Sequence, residues 1–104
     1  MMALNLDQEG FLRELKDWSE DAAEILAAND GITLSPEHWD IIRLVRNYYN
    51  RYQISPVTRV LVRIVREQFG DARGNSIHLM QLFSGKPAKL ISKIAGLPKP
   101  ANCD

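Results

Sequence analysis

The residue with the clearest chemistry in this sequence is Cys103, its single cysteine, which stands next to the last residue. A thiolate is a nucleophile that can form a covalent intermediate and carry a transferred group. Pro98 and Pro100 precede it, and because proline lacks an N–H donor and fixes φ, this stretch cannot continue a helix. The tail is therefore predicted to run as an extended arm that holds a lone thiol away from the body.

Several short sequence motifs accompany this tail. They are Ser35-Pro36-Glu37-His38-Trp39, Gly74-Asn75-Ser76, Gly85-Lys86-Pro87-Ala88-Lys89 and Lys93-Ile94-Ala95-Gly96-Leu97-Pro98-Lys99-Pro100. Together with the position of Cys103, they resemble the DsrC/TusE family of small sulfur carriers, and the match runs from about Gly10 to the end. The resemblance implies a sulfurtransferase in which Cys103 is the catalytic residue and carries sulfur as a persulfide.

The position of a second cysteine separates the two branches of that family. The resemblance places it eleven positions upstream in the DsrC branch, where this chain has Ser92. Because a serine hydroxyl cannot form a disulfide, the chain is predicted to be TusE-like and to relay sulfur for 2-thiolation of the tRNA wobble uridine. The implied partners are a TusBCD-like sulfur donor complex, an MnmA-like tRNA thiouridylase and its tRNA, and no cofactor is implied.

Three nearby residues are expected to assist the arm: Gly96 as its hinge, and Lys93 and Lys99 as cations that steer it. Asp104 departs from the family pattern, in which the last residue is typically apolar. Its carboxylate disfavours the neighbouring thiolate. We therefore expect a thiol that is less reactive than the family pattern suggests until a partner supplies positive charge.

Charge is divided along the chain, although its formal net charge is zero. Residues 1–40 contain ten acidic and two basic residues, and residues 41–104 contain eleven basic and three acidic ones. In the basic part, Arg59, Arg63 and Arg66 recur at helical spacing. Such a stripe can bind tRNA phosphates or an acidic protein surface, but amphipathic helices also expose arginine simply because it lies opposite their core.

Two other functions remain open. One is a DsrC-like carrier for a sulfite reductase or sulfur-oxidation pathway, which Ser92 argues against. The other is a non-catalytic helical nucleic-acid-binding module that uses the arginines and needs no thiol. Alkylation of Cys103 separates them, because only the module would keep its activity. No metal site is predicted, since His38, His78 and Cys103 lack the close spacing of metal ligands.

The elements that must position the thiol are predicted to be mostly helical. Capping residues, the spacing of apolar residues, and the glycines and prolines that end helices predict five helices. They run from Glu20 to Asn29, from Pro36 to about Arg51, from Val57 to just before Gly70, from Ser76 to Leu82, and from Ala88 to Ala95. The second is expected to be the central core helix. An extended piece from Ala3 to Leu12, with its turn at Asp7 to Gly10, precedes them.

The predicted fold class is therefore α+β but predominantly α. We expect an orthogonal array of about five helices with a small N-terminal β-hairpin or meander and an extended C-terminal arm. Residues 1–96 should form a single helical DsrC-like domain, and residues 97–104 a flexible arm that carries the cysteine.

Length and hydropathy limit the number of domains and the possible location of the protein. A chain of 104 residues that is 45% hydrophobic fits one compact domain. It has no stretch of about twenty apolar residues that could span a membrane, and a single cysteine suits a reducing compartment. A cytoplasmic protein without a membrane partner is predicted.

Overall fold

The structure, a computed structural model, describes residues 3–101, so the two residues before this range and the three after it lie outside the description. Within the range, the chain forms one short 3-10 helix and five α-helices. They are the 3-10 helix Leu15–Asp17, α1 Glu20–Asn29, α2 Pro36–Tyr52, α3 Thr58–Phe69, α4 Ser76–Phe83 and α5 Pro87–Ile94. The five predicted helices are confirmed, each to within one residue or so at its ends.

The predicted N-terminal β-hairpin or meander is wrong. Within residues 3–101 there is no strand, and the N-terminal segment has only an isolated antiparallel bridge between Leu6 and Leu12. The expected turn does form, because the Asp7 carboxylate accepts hydrogen bonds from the N–H groups two and four residues later, at 2.9 and 3.0 Å. The pairing ends there, since the chain enters the 3-10 helix at Leu15 and a lone two-stranded ribbon is marginally stable.

Side-chain caps fix the starts of α1 and α2. The Ser19 hydroxyl accepts from the N–H of Ala22 at 3.1 Å. The Ser35 hydroxyl accepts from the N–H of His38 at 3.4 Å, and His38 Nδ1 accepts from the N–H of Ser35 at 3.0 Å. This is a capping box in which histidine replaces the usual glutamate or glutamine. Because His38 Nε2 also lies 2.8 Å from the main-chain oxygen of Leu82, the buried histidine ties α2 to α4.

The apolar faces of all five helices meet in one core. The buried residues are Ala23, Leu26 and Ala27 of α1, Ile41, Ile42 and Val45 of α2, Leu61 and Val65 of α3, Leu79 and Phe83 of α4, and Ala88, Ile91 and Ile94 of α5. Helix α5 contacts each of the other four. The central helix is therefore α5 and not α2, so the element from which the arm emerges is also the one most firmly held.

Within the described chain, no helix is long and apolar enough to cross a membrane.

Gly96 follows α5 with φ of +74°, and a Cβ atom placed on it would lie 2.3 Å from Trp18 Cδ1. We expect Gly96→Ala to lower the free energy of unfolding by about 2–4 kcal/mol, because left-handed backbone strain adds to a clash with the Trp18 ring. Urea unfolding followed by circular dichroism measures the loss. Gly31→Ala is the matched control, since Gly31 has φ of +75° and no atom within 4 Å of such a Cβ. Equal losses in the two variants would contradict the close contact.

Candidate functional site

Cys103, the predicted catalytic residue, lies outside the described residues. The structure does describe the root of its arm, residues 97–101, and the groups that hold this root. The contacts between the root and the body define the candidate site.

The last turn of α5 is held by two side chains from elsewhere in the chain. Trp18 Nε1 donates a hydrogen bond to the main-chain oxygen of Ile94 at 2.9 Å, and Arg46 Nη1 donates to that of Ala95. The Arg46 guanidinium also stacks on the Trp18 ring, 3.8 Å from its centroid. Partial burial lowers the pKa of Arg46, but an arginine keeps its charge in proteins. A cation at a helix C-terminus is favourable, so this stack stabilises the end of α5.

Gly96, the expected hinge of the arm, closes the end of α5, and its function as a hinge stays a prediction. Its N–H donates to the oxygen of Lys93 at 3.1 Å, and the N–H of Leu97 donates to the oxygen of Ser92 at 2.9 Å. With Gly96 in the left-handed region, these two bonds form a Schellman motif, which closes the helix tightly. Leu97 is buried in the core. The chain therefore leaves α5 along a fixed path.

Beyond Leu97 the described part of the arm, residues 98–101, remains on the body. The buried Ser55 hydroxyl donates a hydrogen bond to the main-chain oxygen of Pro98. Lys99 Nζ lies 3.0 Å from Glu9 Oε2, and Pro100 is buried. The root thus departs from the expected segment held away from the body. The division into a domain of residues 1–96 and a flexible arm of residues 97–104 stays a prediction.

Glu9 joins the arm to two other parts of the molecule. Its carboxylate lies 3.0 Å from Lys99 of the arm and 3.1 Å from Lys89 of α5. Hydrogen bonds from Lys99, and to a smaller extent from Lys89, hold the pKa of Glu9 below its ordinary value of 4.5. At neutral pH the ionised Glu9 therefore links the N-terminal turn, the arm and α5.

Ser92 occupies the position at which the family resemblance expects a second cysteine in the DsrC branch. The residue is 1% exposed, and its hydroxyl has no hydrogen-bond partner within the part of the chain that the structure describes. It lies in α5 directly below the arm root, since its main-chain oxygen binds Leu97. This position can supply no thiol, so any disulfide chemistry that needs two cysteines is absent from this sequence.

The predicted arginine stripe forms, and it lies along a groove. Arg59, Arg63 and Arg66 are exposed and line a depression of about 750 Å³ between α3 and the start of α4. Its other lining residues are Val57, Thr58, Val62 and Ser76. That the stripe binds an anionic partner stays a prediction.

The two histidines lie in different polar clusters. His38 caps α2, whereas His78 contacts Glu37 in a separate cluster that joins α2 to α4. Among residues 3–101, no group of three histidine, cysteine, aspartate or glutamate side chains could hold a metal ion.

Sequence reasoning missed the side chains that hold the arm root: Glu9, Trp18, Arg46 and Ser55. Their contacts to the end of α5 and to the arm join residues 43 to 90 positions apart in sequence. The spacing of residues within one segment does not predict contacts between residues so far apart in sequence. The nearest available signal was the concentration of glycine and proline after α5, which indicated a special backbone path but not its partners.

Comparisons with known proteins agree on one family. The family model described as DsrC like protein matches residues 2–103. The chain is similar to Sulfurtransferase TusE of Escherichia coli (strain K12) and of Salmonella typhimurium (strain LT2), each 48% identical over 100 residues that cover 96% of this chain and 92% of the relative.

Solved structures of DsrC proteins resemble it as well. The NMR structure of Allochromatium vinosum DsrC has a TM-score of 0.86 and 45% identity, and the match covers 95% of this chain and 88% of that one. The crystal structure of the oxidized gamma-subunit of the dissimilatory sulfite reductase (DsrC) from Archaeoglobus fulgidus has a TM-score of 0.85 and 39% identity, covering 97% and 92%.

The contacts of the arm root predict that Ser55→Ala and Glu9→Gln loosen it. Loss of the buried Ser55 bond should speed hydrogen exchange at the Leu97 amide, which donates to the oxygen of Ser92 at the root of the arm, by about 5- to 10-fold, since such a bond contributes about 1 kcal/mol. Glu9→Gln should act in the same direction. Glu14→Gln is the matched control, because Glu14 is an exposed acid near Glu9 in sequence and its replacement removes the same charge. Unchanged exchange in both test variants would mean that these contacts do not hold the arm.

Glu9 also predicts a pH dependence. Because its pKa is lowered in the folded state, its contribution is fully present above the ordinary pKa of 4.5 and is lost as pH falls through the lowered value. Exchange at the Leu97 amide, corrected for intrinsic rates, should therefore accelerate as pH falls below 4.5 in the wild type. The Glu9→Gln variant should lack this step. A step of equal size in the variant would assign it to another group.

Proposed function

The chain belongs to the DsrC-like protein family, and we propose that it is a sulfurtransferase that carries persulfide sulfur on Cys103. The near full-length relatives named Sulfurtransferase TusE confirm the family and the sulfur-transferring function predicted from the tail. The assignment of the carrier to Cys103 is supported by one observation above all, which is that the sequence has no other cysteine.

The proposed reaction has two steps and no net oxidation. The Cys103 thiolate attacks the terminal sulfur of a donor persulfide, the S–S bond of the donor breaks, and the donor leaves as a thiolate. Cys103 then holds that sulfur as its own persulfide. In the second step, an acceptor thiolate attacks the terminal sulfur, and the Cys103 thiolate leaves and is regenerated.

The arm root supports transfer by limiting where it can occur. Helix α5 is central in the core, and Leu97, Pro98 and Lys99 are each held to the body. Cys103 follows Pro100 by three residues, and three residues of chain span at most about 11 Å. The reacting sulfur of a donor or acceptor must therefore come about that close to Pro100, unless the partner first displaces the root.

The proposed partners are those that the family resemblance implies. A TusBCD-like complex would donate the sulfur, and an MnmA-like thiouridylase would use it for 2-thiolation of the wobble uridine of tRNA. The tRNA would be contacted through Arg59, Arg63 and Arg66. This reaction sequence belongs in the cytoplasm, where tRNA is modified and thiols stay reduced.

The similarity to DsrC structures supports a second candidate, a carrier for a sulfite reductase or sulfur-oxidation pathway. Ser92 weighs against it, because the two-cysteine chemistry of that branch needs a thiol where this chain has a buried hydroxyl. A single persulfide relay needs only Cys103. The TusE-like function is therefore preferred.

Intact mass spectrometry tests the proposal directly. The reduced protein, incubated with a cysteine desulfurase, cysteine and the relay proteins, should gain one sulfur atom that a reductant removes. The Cys103→Ser variant should gain none, while its circular dichroism stays that of the wild type, because a terminal residue contributes little to stability. A wild type that gains no sulfur from a donor shown to be active would refute the carrier function and favour a binding module.

A further inference from the structure

We propose that the groove lined by Arg59, Arg63 and Arg66, called here the arginine groove, binds the phosphodiester backbone of RNA beside the root of the arm. This rests on the proposed transfer of sulfur to tRNA and extends it by naming the groups that hold the RNA and where they lie. The binding itself requires no thiol.

The charge of the groove is uncompensated. None of its lining residues is acidic. Arg59 and Arg63 have no ion-pair partner within residues 3–101, and Arg66 approaches only the exposed Asp71, at 3.7 Å. An exposed pair of this kind contributes little. Two or three guanidinium groups are thus available to phosphate oxygens, with which arginine forms paired hydrogen bonds.

The start of α4 adds a second group of donors to the same groove. Ser76, its first residue, lines the groove, and Asn75 caps the helix by accepting from the N–H of His78 at 2.9 Å. The N–H groups of Ser76 and Ile77 have no acceptor within the described residues. A helix N-terminus with open N–H groups favours an anion, and Ser76 at this N-terminus lines the same depression as the arginines.

Two contacts join the α3 wall of the groove to the segment before α4. Arg66 Nε donates to the main-chain oxygen of Gly74 at 3.2 Å, which ties α3 to the segment before α4. Gly74 lies so close to the Arg66 main chain that a Cβ atom on it would be 2.3 Å from Arg66 Cα. These contacts place the start of α4 beside the arginines of α3.

The geometry favours a nucleic-acid strand over an acidic protein. At 1.5 Å per residue, the seven steps from Arg59 to Arg66 span about 10 Å, the length of about three nucleotides of one strand. The arginines thus follow a line, as a regular row of phosphates does. The apolar lining consists of Val57 and Val62, and it lacks the aromatic anchors that are typical of protein interfaces.

The groove opens next to the arm. Ser55 donates to the oxygen of Pro98, and Val57, only two residues later, lines the groove. An RNA strand in the groove therefore passes close to the segment that leads to Cys103. This gives the groove a use in the proposed function, since a bound RNA strand would lie near the root of the arm that carries Cys103.

Fluorescence anisotropy with an unmodified tRNA transcript tests the proposal on the full chain. Arg59→Gln combined with Arg63→Gln should weaken binding at least about tenfold at ~100 mM salt, and the slope of log affinity against log salt should fall by about 2. Arg66 is left intact because of its bond to Gly74. Arg43→Gln combined with Arg51→Gln, exposed arginines of α2 outside the groove, removes the same charge and should change affinity less than about twofold.

Cys103→Ser should bind the transcript as the wild type does, and the groove variant should still load sulfur in the mass assay, so the two proposals can fail separately. Unchanged RNA affinity in the groove variant would overturn the proposal. So would an equal loss in the α2 control, which would reduce the effect to overall charge. A groove variant that keeps its RNA affinity but no longer binds an acidic relay protein would reassign the groove to that protein.

Discussion

The rest of the structure depends on how the last turn of α5 is held. The Arg46 guanidinium lies between the Trp18 ring and the oxygen of Ala95, and Trp18 donates to the oxygen of Ile94. The main-chain oxygens at a helix end lack partners within the helix. Satisfying them with side chains from α2 and the segment before α1 ties three parts of the chain to the point where the arm begins.

This arrangement fixes the root of the arm and so limits how far the proposed sulfur carrier can reach. A thiol at the end of a long free chain would sample a large volume, and loop entropy would oppose each productive encounter. Here Leu97, Pro98 and Lys99 are each fixed by a different contact. Acidic and basic residues also act at different places. Glu9, in the acidic N-terminal part of the chain, binds Lys99 of the arm root, whereas the arginine groove lies on α3.

The helices could be predicted from sequence because their signals are local. Ser19 and Ser35 are good caps, Pro36 suits a first turn, and glycines stop α1 and α3, so the helix bounds could be placed within about a residue. The hairpin prediction failed because Leu6 and Leu12 pair only once before the 3-10 helix diverts the chain. The length of the pairing is set by the segment after the turn, and the alternation of apolar and polar residues does not predict that length.

The sulfur-transferring function could be predicted from the sequence, but the contacts that hold the root of the arm could not. Cys103 could be singled out because one thiol comes after a proline-broken tail, and the resemblance of that tail supplied a sulfur-carrying function. A glycine before prolines indicates a special backbone path, and Gly96 does have φ of +74°, but nothing in the sequence indicated that the Trp18 ring fills the space that a side chain at Gly96 would need. That Trp18 and Arg46 meet the end of α5 is a result of tertiary packing, which no spacing within the sequence encodes.

The central claim is that Cys103 passes sulfur onward, and a single-turnover chase tests it most directly. The protein would be loaded with isotopically labelled sulfur, separated from its donor, and mixed with an active thiouridylase and an unmodified tRNA transcript. We predict that the label leaves Cys103 and appears in 2-thiouridine in equal amount. Label that stays on the protein while the same thiouridylase modifies tRNA from another sulfur source would contradict this account.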